Sequence, residues 1–332
     1  MMMQRQRAEQ IKQRIRGGLI PAVPVPRYES GEIHKAAQAA YARYLTEQRI
    51  AGVAVWVHTG RGLHLDRKQR EYILQSWKAA LRGKQIVIAG VGALPNDALK
   101  GSEKLKQWNN DSIVMAKDAI AGGADALLVF PPVILNELPE SLREEAVVAY
   151  HKALAELGHP LVLFYLYEAA GGMSYSMKVL RELLALPNVI GIKVATLDSV
   201  MTMQNISRLL EQEFTDQLHI TGEDRMFGYA LMRGADSALI GLGAAYPNVQ
   251  ADLITAYREQ NFTEFIDLST RVDAFAELTF TRPMDKYILR MLQCLVIADI
   301  IPGESAYDIA GYKMTDQETA AIRQVIAEHR LY

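Results

Sequence analysis

Residues 187–196 read Pro187-Asn188-Val189-Ile190-Gly191-Ile192-Lys193-Val194-Ala195-Thr196. A Pro-Asn turn opens onto a short apolar run, and a single lysine interrupts that run. A run of this kind reads as a strand buried on both faces, as in a parallel sheet. The pattern recurs along the chain. Leu19–Val23, Val53–Val57, Ile86–Val91, Ala126–Phe130, Leu161–Leu166, Val189–Val194, Leu218–Thr221 and Ser237–Leu242 are all short, apolar and bounded by Gly, Pro, Asn or Asp. Between them, Ile33–Gln48, Arg67–Leu81, Asp111–Ala121, Ser141–Leu157, Met177–Leu186, Ser199–Glu211 and Met226–Met232 space apolar residues at i, i+3, i+4. Strands alternating with helices in this number predict a closed (β/α)8 TIM barrel. An open doubly wound sheet usually carries a GxGxxG turn after its first strand. None follows here, and Gly90-Val91-Gly92 lacks the third glycine.

Composition narrows the class further. The chain has 332 residues, 50% of them hydrophobic, with 36 basic against 38 acidic side chains and a formal charge of −2. The core can be large, and a broad basic footprint for nucleic acid is excluded. Cys294 is the sole cysteine, so no intrachain disulfide forms and no multi-cysteine zinc site is available. The basic opening segment has no apolar stretch of secretory type, and no apolar run is long enough to cross a bilayer. These features predict a cytoplasmic protein without a membrane partner. The expected organisation is a polar N-terminal helix or tail over 1–17, solvated because it is dense in charge, then the barrel over 18–245. A helical extension over 246–332 would pack on the barrel, with helices at Val249–Glu259, Phe262–Leu278, Met284–Ala298 and Gln317–Arg330.

Barrel chemistry sits at the C-terminal ends of strands, which singles out a few positions. Lys193 lies inside an apolar strand, where burial disfavours its charge and makes its amine a better nucleophile. Bringing a lysine from its usual pKa to about 7 takes about 4.6 kcal/mol of differential solvation. A lysine at a strand end can instead snorkel or pair with a carboxylate. On the neighbouring strand Tyr165 offers a phenol for proton transfer, with Tyr167 competing for that role. After the second strand, His58-Thr59-Gly60-Arg61-Gly62 is a turn whose N–H groups suit an anion. No histidine or carboxylate stands at ligand spacing from His58, so no metal is implied. Gly222-Glu223-Asp224 ends the seventh strand, placed to hold substrate hydroxyls or to cap the next helix.

Taken together these segments resemble the dihydrodipicolinate synthase / N-acetylneuraminate lyase family. The resemblance runs from about Gly18 to the end of the chain. It is carried by Gly18-Leu19-Ile20-Pro21-Ala22, His58-Thr59-Gly60, Ile88-Ala89-Gly90-Val91-Gly92, Gly123-Ala124-Asp125-Ala126-Leu127-Leu128-Val129 with Pro131, and most strongly Pro187 to Lys193. It implies class I aldolase, lyase or dehydratase chemistry on a 2-oxo acid such as pyruvate or a 2-keto-3-deoxy sugar acid, without an organic cofactor or metal. Lys193 would form the Schiff base. Tyr165, 28 residues earlier, would take the place of the family's catalytic tyrosine and relay protons with Thr59. Backbone N–H groups of His58, Thr59 and Gly60 would hold the carboxylate. Gly222 and Glu223 would bind the remainder of the substrate, and a backbone contact near the end of strand eight would come from Ile240 or Gly241. A homo-oligomer, dimer or tetramer, is implied as well.

Several positions depart from the family pattern. The usual G-T-T-G-E loop is Val57-His58-Thr59-Gly60-Arg61 here, the synthase arginine falls at Ala170, and the segment T-P-Y-Y reads Phe130-Pro131-Pro132-Val133. His58 is therefore a candidate proton relay, and Arg61 a candidate binder of a second substrate anion. The competing class is a non-catalytic small-molecule binder on the same barrel.

Overall fold

The structure, a computed structural model, describes residues 2–197 and 199–332. The strands are β1 (Leu19–Pro21), β2 (Gly52–Val55), β3 (Ile86–Val91), β4 (Ala126–Val129), β5 (Leu161–Leu166), β6 (Val189–Ala195), β7 (Leu218–Thr221) and β8 (Ser237–Ile240). They form an 8-stranded parallel sheet in the order β1-β8-β7-β6-β5-β4-β3-β2. A parallel bridge between Ala22 and Ala54 closes the ring, with Val23 N–H donating to the Ala54 carbonyl at 3.1 Å. The (β/α)8 barrel read from the apolar runs is thus the fold.

The helices are α1 (Met2–Ile15), α2 (Lys35–Thr46), α3 (Arg67–Leu81), α4 (Gly101–Ala121), α5 (Glu140–Ala155), α6 (Met177–Leu184), α7 (Val200–Glu213), α8 (Phe227–Met232), α9 (Pro247–Arg258), α10 (Phe262–Thr279), α11 (Tyr287–Ile297) and α12 (Asp316–Glu328). Helix α4 begins well before the expected Asp111. Its first turns turn only Leu105 and Trp108 towards the protein, too sparse a pattern to read.

Alternation along the strands makes two apolar layers. Ile20, Ile88, Leu128, Val162, Ile220 and Leu239 fill the barrel. Val53, Val87, Leu127, Leu163, Ile192 and Val194 face the helices outside. The N-terminal segment departs from the solvated reading. Ala8, Ile11 and Ile15 of α1 join the interior cluster, at i, i+3 and i+7 on one helix face. Arg14 donates to the carbonyls of Gly83 and Lys84 at 3.1 and 3.2 Å, and Arg16 pairs with Asp236 at 2.9 Å. Those partners precede β3 and β8, so α1 stops the N-terminal end of the barrel. Its charges lie outward, which is why charge density alone concealed the apolar stripe.

The register of β5 against β6 decides what faces the interior. Leu161 pairs with Val189, but Val162 pairs with Gly191, leaving Ile190 as an extra residue. This one-residue bulge shifts the pairing so that Phe164, not Tyr165, stands opposite Lys193. Gly191 makes the bulge possible, because a Cβ there would lie 2.4 Å from the Leu218 carbonyl oxygen.

Candidate active site

A cavity of about 290 Å³ opens at the C-terminal mouth of the barrel. Lys193 projects into it from the inner face of β6 and is 8% exposed. Its Nζ lies 4.3 Å from the centre of the Phe164 ring. Burial pushes the ammonium pKa down, against the opposing pull of the Asp224 and Glu223 carboxylates. Gly222 lines the same wall, and a Cβ there would meet Lys193 Cε at 2.6 Å and displace the lysine side chain.

Leu218 and Ile220 point inward from β7, and the same alternation brings Gly222 and Asp224 to the cavity. Asp224 accepts a hydrogen bond from Leu242 N–H at 2.7 Å. Burial raises its pKa, although backbone N–H donors and Lys193 favour the carboxylate. Glu223 falls out of phase. It is buried and accepts from Thr196 N–H, from Thr196 Oγ1 at 2.8 Å and from Leu197 N–H at 2.9 Å. Its oxygens therefore hold the loop after β6, and Asp224 rather than the expected Glu223 lines the cavity.

The turn after β2 forms a second wall. Residues His58–Gly60 make a 3-10 turn in which Gly60 N–H donates to the Val57 carbonyl and Arg61 N–H to the His58 carbonyl, each at 3.0 Å. The leading N–H groups of such a turn, those of His58 and Thr59, have no acceptor within it. Both residues line the cavity. Gly60 does not, and its N–H is spent inside the turn, so it leaves the expected carboxylate cradle. Thr59 Oγ1 and the Tyr287 hydroxyl share a hydrogen bond of 2.7 Å. Tyr287 comes from the first turn of α11 and stacks on Phe280 with ring centres 4.5 Å apart. Burial raises its pKa, so it stays a neutral phenol.

Polar side chains at the rim are already paired. His58 Nε2 lies 2.9 Å from Asp285 Oδ1, and Arg61 Nη1 lies 2.7 Å from Asp285 Oδ2. Arg61 also grips Asp308 through Nε at 2.8 Å and Nη2 at 2.6 Å. Hydrogen bonding from His58, reinforced by Arg61, pushes the Asp285 pKa down to about 2. All three guanidinium nitrogens are occupied, so Arg61 is not the free anion binder expected from its position. Lys286 pairs with Glu318 at 2.7 Å, and Arg290 donates to the Thr281 carbonyl at 2.8 Å, fixing residues 280–287 over the mouth.

Lys193, Thr59, His58, Arg61 and Gly222 thus come together, and other expected residues do not. Tyr165 lies in the outer layer, edge-on to Tyr175 with ring centres 5.8 Å apart. Regular alternation along β5 sets Tyr165 outside, and the bulge in β6 turns Lys193 inward, away from it. Ile240 also faces outward, and its carbonyl accepts Ala22 N–H at 2.9 Å; the adjoining Gly241 lines the cavity instead. Tyr167 and Ala170 reach the cavity too. Sequence reasoning missed Phe164, Phe280, Met284, Asp285 and Tyr287, and it named Asp224 with Glu223 at the end of β7 but carried only Glu223 forward as a substrate contact. Strand alternation was a usable signal for Asp224. Tyr287 had none, since its place depends on how distant helices dock. Among the described residues, no three His, Cys, Asp or Glu side chains are grouped to hold a metal ion, and no helix is long and apolar enough to cross a membrane.

Comparison with known proteins places this geometry. Residues 16–299 match the dihydrodipicolinate synthetase family. The N-acetylneuraminate lyase of Rhizobium meliloti is 25% identical over 323 residues, 93% of this chain and 94% of that protein. A probable mitochondrial 4-hydroxy-2-oxoglutarate aldolase of Emericella nidulans is 26% identical over 245 residues, 72% of this chain and 74% of that protein. Among solved structures, a monomeric dihydrodipicolinate synthase variant shares the fold with a TM-score of 0.81 at 19% identity, covering 96% of this chain and 98% of that one. The chain belongs to the dihydrodipicolinate synthetase family of aldolase-type lyases.

Proposed function

We propose that the protein makes or breaks a carbon–carbon bond in a 2-oxo acid through an imine on Lys193. The observation that carries this reading is the Lys193 amine, buried in the mouth of the barrel with its charge disfavoured. The neutral amine adds to the C2 carbonyl, and loss of water leaves an iminium. The substrate carboxylate rests on the His58 and Thr59 N–H groups. The Thr59–Tyr287 pair uses one hydroxyl hydrogen internally and leaves the other for a substrate oxygen.

For cleavage of a 4-hydroxy-2-oxo acid, Asp224 accepts the C4 hydroxyl proton. The C3–C4 bonding pair moves into the iminium, giving an enamine and a free aldehyde. Asp224 returns the proton to C3, and water hydrolyses the new iminium to free Lys193. A carboxyl whose pKa is raised by burial suits both steps. This replaces the Tyr165 relay, and His58, held by Asp285, orients the turn rather than carrying the proton. A dehydratase would begin with the same imine.

Phe164 opposite Lys193 favours a second reading, a binder with a phenyl ring rather than a phenol at the paired position on β5. Borohydride reduction in the presence of pyruvate separates the two. An adduct in the intact mass, absent in Lys193→Ala, supports imine chemistry. A folded protein that traps none of a panel of 2-oxo acids supports the binder.

A further inference from the structure

Resting on the imine reading, we infer that the substrate carries a single carboxylate and an apolar, uncharged group beyond C3. The products of cleavage would then be a 2-oxo acid and an apolar aldehyde. Two features of the cavity argue for this.

The first is its charge inventory. Among the described residues that line the cavity, the basic side chains are Lys193, Arg61 and His58. Lys193 is the nucleophile, Arg61 has its nitrogens on Asp285 and Asp308, and His58 is held by Asp285. Asp224 adds a further acidic group to the wall. One substrate carboxylate has the turn N–H groups to receive it. A second would enter a site whose cations are already matched, and an unpaired buried charge is strongly disfavoured.

The second is the apolar part of the lining. Leu166, Leu197, Ala170, Phe280 and Met284 line the cavity with the Phe164 ring, and Tyr167 adds one phenol among them. A polyhydroxylated chain needs several hydrogen-bonding partners there. Glu223, the acidic side chain that would add to Asp224, is turned onto Thr196 and Leu197. Hydroxyl groups brought against these apolar side chains would lose water without replacement.

The reaction is redox neutral: the C3–C4 bond breaks, the C4 hydroxyl becomes the aldehyde carbonyl, and C3 takes up the displaced proton. The experiment runs the addition direction, pyruvate with isobutyraldehyde, benzaldehyde, glyoxylate, succinic semialdehyde or glyceraldehyde, with product formation followed by mass spectrometry. Borohydride trapping with pyruvate is measured in parallel. The apolar aldehydes are expected to exceed the others in kcat/KM by about 100-fold. Ala170→Arg, which places an unmatched cation among the apolar side chains, is expected to raise the rate with succinic semialdehyde relative to isobutyraldehyde about tenfold. A preference for glyoxylate, succinic semialdehyde or glyceraldehyde, with trapping intact, overturns the inference and leaves the imine reading standing. Loss of trapping with every 2-oxo acid overturns both.

Discussion

Phe164 and Tyr165 are consecutive residues of β5 that occupy different regions of the molecule. Phe164 faces the barrel interior, with the Lys193 amine 4.3 Å from its ring centre. Tyr165 faces the helices and packs edge-on against Tyr175. In a regular strand pair, the spacing that sets Leu161 beside Val189 would have set Tyr165 beside Lys193. The extra Ile190 turns Lys193 to the inner face, where alternation along β5 already sets Phe164 and leaves Tyr165 outside. The comparison shows that a catalytic inventory drawn from spacing holds only while the ladder is continuous.

The largest expected effect tests the inner face. Lys193→Ala should abolish the borohydride adduct and lower turnover by at least about 10³-fold, as nucleophile removal does elsewhere. Gly222→Ala should come next. Its methyl would crowd Lys193 Cε, and a displaced nucleophile loses about 10²-fold in kcat, alongside about 1–3 kcal/mol of overpacking read by denaturant titration. Tyr287→Phe removes the partner of Thr59 and should cost about tenfold in kcat/KM, consistent with one hydrogen bond. Tyr165→Phe is the outer-face control and should leave kcat within about twofold. A large loss in Tyr165→Phe at unchanged stability would return the phenol to the cavity and break the comparison.

Dependence on pH sharpens the same contrast. Only the neutral amine adds to a carbonyl, and burial lowers the Lys193 pKa. The rate of imine formation should therefore rise with pH and level off below the ordinary lysine value of 10.5. The rim behaves oppositely. Asp285 is held down to about 2 from its ordinary 3.8 by His58 and Arg61. Its contribution to stability is fully present above 3.8 and is lost as pH falls towards 2. Carboxyl carbon NMR of Asp285 over that range checks it, and the low value should return towards normal in His58→Ala.

The barrel itself was legible because apolar runs and amphipathic spacing are local properties, and three strands match the expected bounds throughout: Ile86–Val91, Leu161–Leu166 and Leu218–Thr221. The position of Lys193 was legible too, since an apolar strand with one lysine near its C-terminal end leaves few places for the amine. Its neighbours were not. The β6 bulge is a property of pairing between strands, and the capture of Arg61 by Asp285 and Asp308 joins residues more than 200 positions apart. The apolar side of α1 was present as Ala8, Ile11 and Ile15 but was outweighed by the charges around it.

The clasp of Arg61 on Asp285 and Asp308, with Tyr287 on Thr59, has a consequence for the order of synthesis. The ribosome completes every strand of the barrel before it makes any of those three partners. A nascent chain carries Lys193 early, without the side of the mouth that completes the cavity. Residues between β8 and Asp308 finish the mouth, so its completion follows synthesis of that segment rather than closure of the sheet.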